Sequence, residues 1–190
     1  MGFFSRPYLF SYKYFINYFK NIDKKLDVES LVISSHFVYG WMPTIISLNT
    51  NKVKIDKILE ILNGIKENKI NLEKQDLTDL KTIINNSVVG TSKLLHFIAP
   101  ENYAIWDSRI YNYIINDQNK KSSYGVNNEL TYLNYNNTLR EISLENNYLI
   151  SEIELFRSEF KKIYKYDISN LRSLELIMFI TNKSKTNEHN

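Results

Sequence analysis

Apolar side chains recur along this chain at intervals of three and four, the spacing that lines up one face of a helix. Ile55, Ile58, Leu59, Leu62 and Ile65 make one such stripe. Leu149, Ile153, Phe156, Phe160 and Ile163 make a second, with Glu152, Glu154, Arg157, Glu159, Lys161 and Lys162 on the remaining surface. Leu77, Leu80 and Ile84 mark a third helix, and Asp76 and Asp79 suit its first turn, where a carboxylate meets the positive end of the dipole. The aromatic-rich stretch Tyr8 to Phe19 reads as helix, and so does Asp27 to Met42, capped by Asp27 and stopped by Pro43. The apolar run Leu174 to Ile180 is short enough for a strand, but Leu171, Leu174 and Met178 keep helical spacing and predict helix. Asp117 to Asn128, with Lys120, Lys121, Ser122, Ser123 and Gly125, reads as the longest loop. The expectation is an all-α domain of seven to nine helices over residues 1–181, followed by a polar tail over 182–190.

Composition narrows the classes. A hydrophobic fraction of 43% is that of a globular chain rather than a disordered one. Zero cysteines exclude a disulfide scaffold, a Cys-ligated zinc site and an iron–sulfur cluster. The 3 histidines are well separated, so neither a metal nor a cofactor is expected. No apolar run approaches a membrane span, and Arg6 and Lys13 interrupt the N-terminal apolar stretches, unlike a signal peptide. The reading is a soluble, cytoplasmic protein with no membrane partner. A net charge of +3 is compatible with a polyanionic partner without demanding one. The 14 tyrosines accompany an excess of Asn, Ile and Lys, all with AT-rich codons, so most are assigned to the core rather than to a base-stacking surface.

The densest information lies between Ile83 and Ile110. Here the sequence predicts a helix ending near Asn86, a tight connection through Gly90, and a new helix from Lys93 to Ile98 capped by Thr91 or Ser92. Pro100 stops that helix, Tyr103 to Trp106 forms an extended link, and Asp107 caps a helix beginning at Ser108.

That order resembles the helix-hairpin-helix DNA glycosylase superfamily over residues 80–110. Val88-Val89-Gly90-Thr91 matches the hairpin, and Trp106-Asp107-Ser108-Arg109-Ile110 matches the segment that delivers an aspartate. Val88 stands where the superfamily has its first glycine, and Arg109 where it usually has His. The string Ser92 to Phe97, followed by Pro100 and Ile105 to Arg109, also resembles a pattern that recurs in bacterial proteins.

The resemblance implies two lobes around a cleft, DNA as partner, and excision of a damaged or modified base flipped out of the stack. It implies Asp107 as the essential carboxylate and Lys93 as an amine nucleophile, effective once desolvated. The backbone of Val89, Gly90, Thr91 and Ser92 would approach a DNA phosphate, and Trp106, Arg109, His96, Tyr39 and Trp41 would contact the substrate. Each residue also has a plainer role. Asp107 is a helix cap, Lys93 a solvated lysine, Trp41 and Trp106 core anchors, and His96 a buried ring bonded to a carbonyl. The alternative function is a non-catalytic helical module that binds nucleic acid or a protein partner, for instance in a defence or mobile-element system.

Overall fold

The computed structural model describes residues 7–22, 24–41, 45–115, 123–144 and 148–187. Among them the fold is all-α. The helices are α1 (Pro7–Lys20), α2 (Val28–Trp41), α3 (Ile55–Lys66), α4 (Lys74–Ile83), α5 (Val88–Ile98), α6 (Ser108–Ile115), α7 (Ser123–Val126), α8 (Glu129–Leu144), α9 (Tyr148–Tyr164) and α10 (Asn170–Asn187). One of these, α7, is a single turn inside the span read as a loop, and residues 117–122 of that span lie outside the described residues.

The predicted stripes are the buried faces. Ile58, Leu62 and Ile65 of α3 and Leu77 and Leu80 of α4 are buried, as is Ile153 with Phe160 in α9, whereas Ile163 lies half exposed. Asp27 caps α2 by accepting the Ser30 amide at 2.8 Å; Pro43 lies outside the described residues. The run Leu174 to Ile180 is helical within α10, which continues to Asn187 through most of the segment read as a polar tail. Buried apolar side chains from α1 to α10 form one contiguous cluster.

The connection between α4 and α5 departs from expectation. The turn comes four residues early, at Ile84 to Ser87, where Asn85 and Asn86 take the left-handed conformation at φ 53° and 52°. Ser87, rather than Thr91 or Ser92, caps α5, its hydroxyl accepting the Gly90 amide at 3.1 Å. Val89, Gly90, Thr91 and Ser92 therefore lie inside a helix, and Gly90, Thr91 and Ser92 are buried rather than presented to a phosphate. Gly90 has no left-handed φ to accommodate. A Cβ there would fall 2.1 Å from Tyr39 Oη and 2.7 Å from Cζ, so glycine is needed for the close passage of α2 across α5. Gly90→Ala gains roughly 1 kcal/mol of helix propensity, but overpacking of about 1–3 kcal/mol opposes it. Urea unfolding should show a net loss that Tyr39→Leu in the same chain largely removes.

Among the described residues no sheet orders the loops, and asparagine side chains clamp them. Asn63 accepts the Leu26 amide at 2.7 Å and donates to the Leu26 carbonyl at 2.9 Å. Asn127 accepts from Val88 at 2.8 Å and donates to Asn86 at 3.0 Å, and Asn136 accepts from Ala104 at 2.7 Å and donates to Asn102 at 3.1 Å. Asn85 holds Ser47 and Ile45 in the same two-handed way. A carboxamide carries one acceptor and one donor group, as a peptide unit does, so each clamp satisfies both backbone groups of a loop.

Candidate active site

Four helices, α1 to α4, pack on α5. Its sequence is apolar nearly all round, as a central helix must be. The link from Tyr103 to Trp106 is buried beside it and pairs its backbone with side chains instead of a strand. His96 Nδ1 donates to the Tyr103 carbonyl at 2.7 Å, and Tyr132 and Tyr135 hydroxyls donate to the carbonyls of Ala104 at 3.3 Å and Ile105 at 3.1 Å. The Ile105 amide bonds Glu175, and Ser92 Oγ accepts the Trp106 amide at 3.1 Å. Side chains of α5, α8 and α10 thus fix where the link ends and where Asp107 emerges.

Asp107 Oδ1 accepts the amides of Arg109 at 2.9 Å and Ile110 at 3.0 Å, capping α6 as predicted. It also lines a cavity of about 150 Å³, together with Lys93, Trp41, Tyr8, Phe179, Arg172 and Glu175. Lys93 projects from the interior helix α5, and burial lowers its ammonium to about 8, with Asp107 the leading charge opposing that shift. At pH 7 about a tenth of such a lysine is free amine. Its Nζ lies 5.9 Å from the centre of the Trp41 ring.

Arg172 and Glu175 form an ion pair one turn apart on α10, with side chains 2% and 3% exposed. Burial pushes the Glu175 carboxyl upward, while Arg172 and the Ile105 amide pull it back. The Arg172 guanidinium also sits 4.8 Å from the Tyr12 ring centre. Neither residue is among those singled out from the sequence. The available signal is two opposite charges three apart inside the apolar stretch of α10.

Of the residues singled out, the structure brings Lys93, Asp107 and Trp41 to one cavity. Arg109 is exposed beside it, its guanidinium 4.8 Å from the Phe179 ring that forms one wall. His96, Tyr39 and Trp106 are absent from the lining and buried elsewhere. His96 donates through Nδ1 and so accepts the Tyr12 hydroxyl at Nε2, 2.7 Å away; burial lowers it to about 3, and it stays neutral at physiological pH. Trp106 donates its indole N–H to Val126 at 2.7 Å, and Tyr39 packs on Gly90.

A larger cavity of about 480 Å³ lies between Arg140, Arg157, Asp167 and Ser169. There Arg157 is already engaged by Asp167 and Asn170, and none of the described residues that line the cavity is a lysine. Chemistry therefore favours the smaller one. Among the described residues no helix is long and apolar enough to cross a membrane. No protein-family model, curated protein or solved structure matches this chain.

Proposed function

We propose that the chain is a DNA glycosylase of the helix-hairpin-helix type, excising a damaged or modified base at the cavity lined by α1, α2, α5, α10 and the end of the link at Asp107. The observation that carries the reading is the convergence of Lys93 and Asp107, from separate elements, on one aromatic-walled cavity. In this mechanism the free amine of Lys93 attacks the anomeric carbon, and the base departs with the electron pair of the glycosidic bond. The Asp107 carboxylate stabilises the positive charge that develops on the sugar. The attacking nitrogen then gives one proton to the departed base and one to the ring oxygen as the bond from that oxygen to the anomeric carbon breaks, and water hydrolyses the resulting imine to the open-chain aldehyde and the free amine.

The test is a panel of duplexes, each with one altered base, scored for abasic sites. At least one duplex is expected to yield them; none doing so overturns the reading. One observation favours the alternative of a binding module. Phe10, Tyr14 and Phe37 are exposed on α1 and α2, with the Lys13 ammonium 4.9 Å from the Tyr14 ring. Such a surface stacks on bases without cutting them. Salt-sensitive DNA binding with no base release would select that alternative.

A further inference from the structure

Helix α2 carries its polarity the wrong way round for a helix that faces water. Its outward side presents Val28, Val32, Ile33 and Phe37, which are from 37% to 46% exposed. Its inward side buries Ser34 and Ser35, whose hydroxyls have no partner among the described residues. A helix that is apolar on its outer side as well belongs in a packed interior.

Glu29, His36 and Gly40 share the outward side, and Lys25 precedes them there. These positions pair about the midpoint between Val32 and Ile33. Val32 matches Ile33, Glu29 matches His36, Val28 matches Phe37 and Lys25 matches Gly40. Two antiparallel copies of α2 crossing at that midpoint set each residue against its match, apolar against apolar and acid against base. Such self-matching is what a two-fold interface requires. His36 is disposed for it, because Nδ1 donates to the Val32 carbonyl at 2.8 Å and leaves Nε2 for the partner's Glu29.

Gly40 points the same way. It has no left-handed φ, and a Cβ there would meet nothing within 4 Å. Its own chain therefore gives no reason for a residue that costs roughly 1 kcal/mol in a helix. Against the partner's Lys25 the missing side chain leaves room for a long stem, whose ammonium then meets the negative end of α2. A groove between Tyr14, Phe15, Tyr18 and Phe37 extends the apolar surface onto α1. That extension adds to the roughly 800 Å² per copy that a stable dimer buries. A nucleic acid is the poorer occupant of α2, which offers it aliphatic side chains, a carboxylate and no lysine or arginine.

We propose that two copies of this chain associate through α2, antiparallel, about a two-fold axis between Val32 and Ile33. The interface is independent of the chemistry at the Lys93 cavity.

The chain has no cysteine, so introduced ones report the register. Glu29→Cys and His36→Cys chains are mixed and oxidised. Unlike sites meet across the axis, whereas like sites stand about 10 Å apart along the helices, beyond the roughly 7 Å that a disulfide spans. The mixed disulfide is expected to exceed either like pair by at least about tenfold. Sedimentation equilibrium of the parent chain should show a dimer. Ile33→Asp, at an exposed position that tolerates the change in a single copy, should weaken association at least about tenfold by setting two carboxylates together at the axis. His36→Glu should weaken it too, and Glu29→Lys in the same chain should restore it. A parent chain monomeric at about 0.1 mM, like-site disulfides in equal yield, or a dimer indifferent to both Ile33→Asp and His36→Glu overturns the proposal. So does a monomer that binds DNA and loses that binding in Ile33→Asp, which would assign the face to nucleic acid.

Discussion

Asp107→Asn lowers base release by about 10²–10³-fold on any duplex the protein cuts, while leaving its stability within about 0.5 kcal/mol of the parent. The two halves of that expectation separate the two roles of the residue. As a cap, Asp107 uses only Oδ1, which accepts from Arg109 and Ile110, and asparagine offers an equivalent carbonyl oxygen. As a charge in the cavity beside Lys93 it has no neutral substitute. Asp107→Ala serves as the complementary variant, losing the cap as well, at about 1 kcal/mol. A steady-state release assay with urea unfolding on the same preparations checks both. An Asp107→Asn protein that is stable and fully active would show that the carboxylate is a cap and nothing more.

Arg172→Met destabilises the fold by about 3–5 kcal/mol, since it strands the buried Glu175 carboxyl without its partner. The pH dependence follows from the raised Glu175 carboxyl. When the folded-state pKa lies above the unfolded value, the folded chain binds the extra proton between the two values. Stability therefore falls as pH rises through that window. With Arg172 gone the window widens, so the variant's deficit is smaller at pH 5 than at pH 8. Arg172→Met with Glu175→Leu removes both charges and recovers most of the loss, because two apolar side chains of similar bulk replace a pair whose desolvation was costly. Urea midpoints of the three proteins at the two pH values provide the check. Equal losses in the single and double variants would mean that packing, not charge, is at stake.

Helix positions were readable because burial of a helical face imposes a period, and the stripes in α3, α4 and α9 obey it. Asp107 as a cap was readable for a similar local reason: an acidic residue after an extended link and before Ser108 has few other places to be. The α4–α5 turn was misplaced because Gly90 invites a turn wherever it stands in a sequence. Its actual constraint, the Tyr39 ring crossing at contact distance, comes from a helix some fifty residues away. The asparagine excess looked like codon usage. Asn63, Asn85, Asn127 and Asn136 turn out to hold loops by two-handed bonds to backbone that no local pattern reveals. The cavity divides in the same way. Lys93 and Asp107 lie within one stretch of chain and could be linked from it, whereas Arg172 and Glu175 arrive on α10, and only the fold brings them together with the link through Ile105.

The most direct measurement on the pairing of Lys93 with this cavity is covalent trapping. Duplex DNA carrying an abasic aldehyde is incubated with the full chain and cyanoborohydride, which reduces an imine to a stable amine, and the adduct is located by peptide mass spectrometry. The adduct is expected on Lys93, to increase as pH rises through about 8 as the ammonium loses its proton, and to vanish in Lys93→Met. In Asp107→Asn the adduct should persist with its pH midpoint moved lower, since the charge that favours the ammonium has been removed. Trapping spread over the surface lysines, with Lys93 unmodified, would contradict the account.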